Sequence, residues 1–202
     1  MVKEDLDQVN EIDREAFPTQ WPPPNYRQEL QNKIAHYLVA SDDARTVILP
    51  SPPPRNKAGF INWVMPWAKQ RPSSRKDSLP PVARQYIVGF SGIWMMADEA
   101  HITNLAVRGE YRGKGLGELL LLATVDLAAE LKASFMTLEV RASNLIGQSL
   151  YNKYGFVQMG VRRGYYLDNH EDAIIMFTDS ISSESFQAHI RELREALQKK
   201  LV

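Results

Sequence analysis

The spacing of apolar positions divides the chain into regular segments on either side of one irregular stretch. Between Asp5 and Phe17 the apolar residues Leu6, Val9, Ile12 and Ala16 fall three and four apart, which places them on one helical face. Pro18 and the run Pro22-Pro23-Pro24 end that pattern. Asn25 is then placed to cap a short second helix reaching about Lys33, and His36 to Ser41 reads as a strand. Regularity returns at Gln85. Tyr86 to Met96 and His101 to Val107 read as two strands with a turn at Asp98-Glu99. Gly113 to Lys132 is a long helix dense in Leu and Ala, Phe135 to Arg141 a strand, and Ile146 to Tyr154 a short helix. Phe156 to Arg162 and Ala173 to Thr178 are two further strands. Phe186, Ile190, Leu193 and Leu197 then recur at intervals of four, three and four, one face of an amphipathic helix with Ser182 or Ser183 as its cap.

Residues 42–84 follow no sustained period and hold eight of the twelve prolines. Connections of this length are usually functional or disordered. An apolar island, Phe60-Ile61-Asn62-Trp63-Val64-Met65-Pro66-Trp67, lies within it. The expectation is a mostly mobile insertion whose aromatics pack on the domain; the alternative is a flap or docking element for a partner. The element order is ααβ, insertion, then ββαβαββα, a mixed α/β domain around one sheet. A single domain is expected over residues 1–180, carrying the insertion, with a C-terminal helical tail at 181–202.

Composition narrows the chemistry. The 202 residues suit one domain with some extra sequence. With 24 basic and 24 acidic residues the formal net charge is zero, which argues against a broad electrostatic grip on nucleic acid. The chain contains no cysteine, which excludes disulfides, thiolate metal sites and a cysteine nucleophile. The four histidines, at 36, 101, 170 and 189, have no metal-ligand spacing and are expected to be non-catalytic; His101 stands out because it begins the strand that leads to a glycine-rich loop. No apolar run approaches the roughly 20 residues needed to span a bilayer, and the N-terminus has no signal-peptide core. A soluble cytoplasmic protein is expected.

That loop is the most informative run: Val107-Arg108-Gly109-Glu110-Tyr111-Arg112-Gly113-Lys114-Gly115-Leu116-Gly117, between a strand and the long helix. Alternating glycines bare the backbone N–H groups, and the helix start adds unpaired donors and the positive end of its dipole. Arg112 and Lys114 add charge, so a phosphate or pyrophosphate is the expected ligand. A P-loop needs four residues between its first glycine and Gly-Lys, followed by Ser or Thr. Here three intervene, and Gly115 follows Lys114. The dinucleotide fingerprint G-x-G-x-x-G also fails, because the spacing is Gly113-x-Gly115-x-Gly117.

The loop resembles the pyrophosphate loop of the GNAT acetyltransferases, (Arg/Gln)-x-x-Gly-x-(Gly/Ala), with Arg112, Gly115 and Gly117 in its positions. Three further runs extend the likeness. They are Leu138-Glu139-Val140-Arg141-Ala142-Ser143-Asn144 with Ser149-Leu150-Tyr151-Asn152-Lys153-Tyr154-Gly155-Phe156, then Arg163-Gly164-Tyr165-Tyr166, then Glu171 to Met176. Together they resemble the RimI-type N-terminal acetyltransferases from about His101 to Phe177, with a weaker likeness over residues 5–41. The resemblance implies a GNAT fold and acetyl-CoA as acetyl donor. It implies Glu139 as proton acceptor and Tyr151 as proton donor to the departing thiolate. It places the backbone of Leu105, Ala106 and Val107 against the acetyl-pantetheine arm, and Arg112, Gly113, Lys114, Gly115, Leu116, Gly117 and Glu118 around the pyrophosphate. Asn144 would contact the cofactor, and Trp21, Tyr26, Tyr165 and Tyr166 would frame a peptide terminus.

The chemistry is consistent with these types. An α-ammonium must lose a proton before attack, and a carboxylate at a strand end can take it. Gly89-Phe90-Ser91-Gly92-Ile93 lacks the second glycine of a nucleophile elbow, so direct attack in a ternary complex is favoured over an acyl-enzyme. Bland readings stand beside these. Glu139 could face solvent, Tyr151 could be core, Asn144 could merely cap a helix, and Arg141 could be structural. The strand that usually opens a GNAT domain is missing, because the helical pattern begins within five residues of Met1. The expected substrate is a protein or peptide N-terminus, which the resemblance extends to ribosomal proteins. A small-molecule amine or a lysine side chain is the alternative, and a non-catalytic acyl-CoA-binding module the third reading. A homodimer is compatible with the tail helix; no nucleic acid or membrane partner is expected.

Overall fold

In the computed structural model of the protein, residues 1–19, 23–49 and 82–201 are described. Trp21 and the apolar island lie outside them. The helices are α1 (Leu6–Ala16), α2 (Tyr26–Glu29), α3 (Leu116–Glu130), α4 (Leu145–Lys153) and α5 (Glu184–Leu201). The strands are β1 (Ala35–Leu49), β2 (Val82–Met96), β3 (Glu99–Val107), β4 (Phe135–Arg141), β5 (Phe156–Tyr166) and β6 (Glu171–Thr178). They form one mixed sheet in the order β1-β2-β3-β4-β6-β5. β2 with β3, β4 with β6 and β5 with β6 are antiparallel; β3 with β4 is parallel. A parallel neighbour requires a crossover, and α3 supplies it.

The chain divides into two compact units, Met1–Ser41 with Ile87–Val202, and Asp42–Tyr86. Within the second, Gln85 donates to Asp43 at 2.8 Å and the Arg45 guanidinium lies 4.3 Å from the centre of the Tyr86 ring. The flanks of the proline-rich stretch are therefore extended: β1 runs on to Leu49 and β2 starts at Val82, where the sequence pattern predicts strand only over 36–41 and 86–96. Backbone pairing extends strands without needing apolar alternation.

In the first unit, α3 lies between the sheet and α5, which explains why it is apolar on nearly all sides. Leu120, Leu121, Leu122, Val125 and Ala128 are buried in it. The α5 residues Phe186, Ile190 and Leu197 join the same core, so the predicted tail is a packed layer of the domain. Ser183 caps this helix, its Oγ accepting from the Phe186 N–H at 3.2 Å. A second core joins Leu6, Val9 and Ile12 of α1 with Tyr26, Ile87, Phe90 and Ala106. Polar ties fix α1 there. The Gln8 side chain accepts from the Ile87 N–H at 2.9 Å, and Arg108 spans the Ile87 carbonyl at 2.8 Å and Glu11 at 2.7 Å. No described strand precedes α1, as the sequence implied.

Two boundaries differ from expectation in ways that matter for the site. The long helix begins at Leu116 rather than Gly113, because Gly113 and Gly115 adopt φ of +75° and +85°. The second helix is a single turn. Asn25 does cap it, accepting from the Gln28 N–H at 3.2 Å, but it ends at Glu29.

Candidate active site

The sheet opens between its two parallel strands. β3 pairs with β4 only from Glu99–Ile102 against Phe135–Leu138. Beyond this, β3 stays bound to β2 through Leu105, Ala106 and Val107, opposite Ser91, Phe90 and Gly89. Meanwhile Glu139, Val140 and Arg141 of β4 stay bound to Ile175, Ile174 and Ala173 of β6. The cause is visible in the register: Gly92 pairs with Asn104 but Ile93 with Ile102, so Thr103 is an extra residue that bends β3. Among the described residues one edge of Leu105–Val107 is thus left without a ladder partner, and such an edge accepts an extended ligand. The Val107 carbonyl is already taken, by Arg112 Nε at 3.0 Å.

β3 leads into the glycine loop. A Cβ on Gly113 would meet nothing within 4 Å, so its backbone faces open space. Gly115 is the N-cap of α3, and the first N–H groups of that 15-residue helix have no carbonyl one turn earlier. The exposed Arg112 and Lys114 stand beside it. Open backbone, a helix N-terminus and two cations fit a pyrophosphate, and the unpaired edge fits the arm of coenzyme A. Gly117 has room, with Leu150 3.8 Å from an added Cβ, and Leu116 opens the helix next to it. The Glu118 side chain is engaged elsewhere, while its N–H belongs to the first turn of α3. Its carboxylate accepts from Tyr154 Oη at 2.9 Å, pairs with Lys153, and lies 3.7 Å from Lys200. Burial alone would raise its pKa, but Lys153 and Tyr154 bring it below the usual carboxylate range.

At the narrow end of the opening, acidic and basic groups from three strands meet on one sheet face. Glu139 Oε2 is 3.1 Å from His101 Nε2, and Glu139 Oε1 is 2.9 Å from Arg162 Nη1. The His101 hydrogen bond holds the Glu139 carboxyl below its usual range; burial opposes this, and the His101 and Arg162 charges reinforce it. Glu139 is therefore ionised at neutral pH and readily gives up a proton it has taken. On the other side of the ring, His101 Nδ1 is 2.8 Å from Thr137 Oγ1, whose hydroxyl donates in turn to Glu99.

Tyr151 on α4 is a partly buried phenol packed against the main core. Burial pushes it up to about 12, and its ring meets Phe156 edge-on at 5.7 Å. It stays protonated at neutral pH and can donate. Asn144 is the N-cap of α4, its side chain accepting from the Gly147 N–H at 2.9 Å.

Arg141, where β4 ends, gathers a second cluster. It bonds Asp168 at 3.0 Å and Glu171 at 3.1 Å, reaches Thr19 at 3.4 Å, and lies 3.8 Å from the centre of the Tyr166 ring. Tyr165 and Tyr166 lie on β5, which runs four residues past its predicted end, with rings edge-on at 5.2 Å. Burial raises Tyr166 to about 12, while Tyr165 remains 43% exposed and available to a ligand. Tyr26 is elsewhere: only 1% exposed, it donates to Asp13 and packs edge-on against Tyr37 and Phe90. Its ring is core, not a surface that meets peptide.

The structure thus brings Glu139 and the loop to the two ends of one opening. Around Glu139 it adds four residues that the sequence pattern did not assign to catalysis: His101, Arg162, Thr137 and Glu99. The alternation along β4, which puts Thr137 and Glu139 on one face, hinted at Thr137 alone. Among the described residues no cluster could hold a metal ion, and no helix is long and apolar enough to cross a membrane.

Comparison with known proteins agrees with this geometry. Residues 50–156 match the model of the acetyltransferase (GNAT) family. A Bacillus subtilis protein carrying the provisional name of a ribosomal protein bS18-alanine N-acetyltransferase is 35% identical over 175 residues, 86% of this chain and 89% of that one. An N-alpha-acetyltransferase of Sulfurisphaera tokodaii is 31% identical over 175 residues, 85% and 86% of the two chains. The solved ribosomal-protein-S18-alanine N-acetyltransferase of Escherichia coli superposes with a TM-score of 0.63 over 91% of this chain and 94% of its own. At 24% identity that likeness bears on the fold alone. The chain belongs to the GNAT acetyltransferase family and is an acetyl-CoA-dependent N-acetyltransferase.

Proposed function

We propose that this enzyme acetylates the N-terminal α-amine of a protein or peptide, as the names of its relatives suggest, with a ribosomal protein as the expected substrate and the cytoplasm as the place of action. The observation that carries the reading is the Glu139 carboxylate at the end of the β3–β4 opening, bound by His101 and Arg162. Acetyl-CoA supplies an acetyl group activated as a thioester. Its arm would lie along Leu105 and Ala106, and its pyrophosphate on the backbone from Gly113 to Gly117.

An α-ammonium has a pKa near 8, so deprotonation is easy at neutral pH. Glu139 accepts that proton, directly or through water, and the freed amine attacks the thioester carbon. The new N–C bond forms as the C–S bond breaks; Tyr151 donates to the departing sulfur and is reprotonated by the second proton that leaves the nitrogen. Tyr166, under the Arg141 guanidinium, and Tyr165, edge-on to it, would frame the first residues of the peptide.

The test is thiol release from acetyl-CoA against short peptides that differ in their first residue, with an N-blocked lysine peptide and a polyamine as controls. Release with free N-termini alone is expected. Release with only the lysine peptide or the polyamine would overturn the assignment.

A further inference from the structure

Acetylating an ammonium liberates a proton. The nitrogen gives up two protons; one ends on the thiol, and the other must leave the enzyme in every turnover. Glu139 has a side chain only 9% exposed, so it is poorly placed to hand that proton to water itself.

We propose that His101, Thr137 and Glu99 form a proton exit from Glu139 to solvent. The inference rests on Glu139 being the proton acceptor.

The atoms lie in an unbroken series: Glu139 Oε2 to His101 Nε2 at 3.1 Å, His101 Nδ1 to Thr137 Oγ1 at 2.8 Å, then the Thr137 hydroxyl to Glu99 Oε1. The series leads from the 9% exposed Glu139 side chain past His101, at 19%, and the buried Thr137 to Glu99, its most exposed member at 29%. Direction follows from hydrogen-bond capacity. A threonine hydroxyl has one proton. Because it is given to the Glu99 carboxylate, Thr137 can only accept from His101, which puts a proton on Nδ1. Nε2 then faces Glu139, and that contact is bonded only when a further proton lies between them. The arrangement is the one formed just after Glu139 has taken a proton from substrate.

Discharge balances. The proton on Glu139 moves to His101 Nε2, the Nδ1 proton moves to Thr137 Oγ1, and the Thr137 proton moves to Glu99, which releases it to water. No electron pair changes owner beyond these proton transfers; rotation of the Thr137 hydroxyl, with exchange of the Nε2 proton for one on Nδ1 through solvent at the partly exposed ring, restores the start. Arg162 Nη1, 2.9 Å from Glu139 Oε1, stabilises the recharged carboxylate. Glu99 stands where β3 begins, at the opposite end of the strand from the glycine loop, so the proton leaves away from the pyrophosphate.

The test compares Thr137→Val, which keeps the shape but removes the hydroxyl, with Glu99→Gln, a partly exposed change that keeps an acceptor but cannot ionise. Both are assayed beside Glu139→Gln in weak and strong buffer. Expected for Thr137→Val and Glu99→Gln is a kcat about 10-fold lower in weak buffer, less than the ~10²–10⁴-fold of a lost base. Imidazole buffer should restore it, with an unchanged KM for acetyl-CoA. Wild-type rates in Glu99→Gln, or losses that imidazole does not rescue, would overturn the exit. If Thr137→Val does not fold, Glu99→Gln alone decides. An active Glu139→Gln would instead remove the base assignment beneath it.

Discussion

Gly115 separates two penalties that can be read from the structure. With φ of +85° and ψ of −3°, alanine there suffers a left-handed backbone, which costs about 1–2 kcal/mol. Its Cβ would also stand 3.1 Å from Leu197 Cδ1 and 3.2 Å from Leu201 Cδ2, inside ordinary carbon–carbon separation. Leu201 is 46% exposed and can move aside, whereas Leu197 is 3% exposed and boxed in. Forcing Leu197 off its rotamer adds about 0.5–1.5 kcal/mol. Gly113→Ala bears the first penalty alone, because φ is +75° and nothing lies within 4 Å. Gly115→Ala is therefore expected to be less stable than Gly113→Ala by about 1 kcal/mol, a further 2–4 °C or so in Tm, roughly, for a chain of this size. Thermal melts of both variants with and without acetyl-CoA provide the assay. A Gly115→Ala melting point equal to or above that of Gly113→Ala would refute the claim that α5 packs on the loop.

The remaining expectations follow from the same geometry. Glu139→Gln and Tyr151→Phe should each lower kcat by about 10²–10⁴-fold in a thiol-release assay, with acetyl-CoA affinity by calorimetry almost unchanged; a wild-type rate in either removes that residue from the chemistry. Gly117→Ala should raise Tm, because alanine is favoured in a helix by about 0.8–1 kcal/mol and the new Cβ meets only Leu150 at 3.8 Å; a lowered Tm would contradict the space seen there. Glu171 is held down at about 2 by the side chain and N–H of Ser143, with Asn169 and Arg141 adding to this against a small burial effect. Its folded pKa lies below the unfolded one near 4.5, so its stabilisation is complete above that value and is lost as pH falls towards 2. Glu171→Gln should therefore melt lower than wild type at pH 7 and converge with it in acid, and a gap that persists near pH 2 would show another origin.

Much of the site was legible because its parts are local. The glycine alternation from Gly113 to Gly117 announces open backbone wherever the strand and helix lie. Glu139 shares a face of β4 with Thr137 by simple alternation. Asn144 reads as a cap and is one. Tyr26 misled because a tyrosine in a proline-rich connection looks like surface; its burial depends on Asp13, thirteen residues away, which offers a carboxylate for its hydroxyl. Trp21, grouped with it by the resemblance, lies outside the described residues.

The sequence by itself determined the order of helices and strands and the anion-binding turn, since each rests on periodicity or residue chemistry within a few positions; the candidate base came from the resemblance of its run to a known family. Only the tertiary structure decided where β3 and β4 part and what surrounds Glu139. The parting comes from one extra residue, Thr103, in the pairing of β2 with β3. A bulge of that kind exists only as an extra residue of one strand counted against its partner, so the pattern along either strand alone does not show it. The company of Glu139 has the same origin: His101 and Arg162 lie 38 and 23 positions away, and side chains so separated meet only after the sheet has fixed which strands are neighbours.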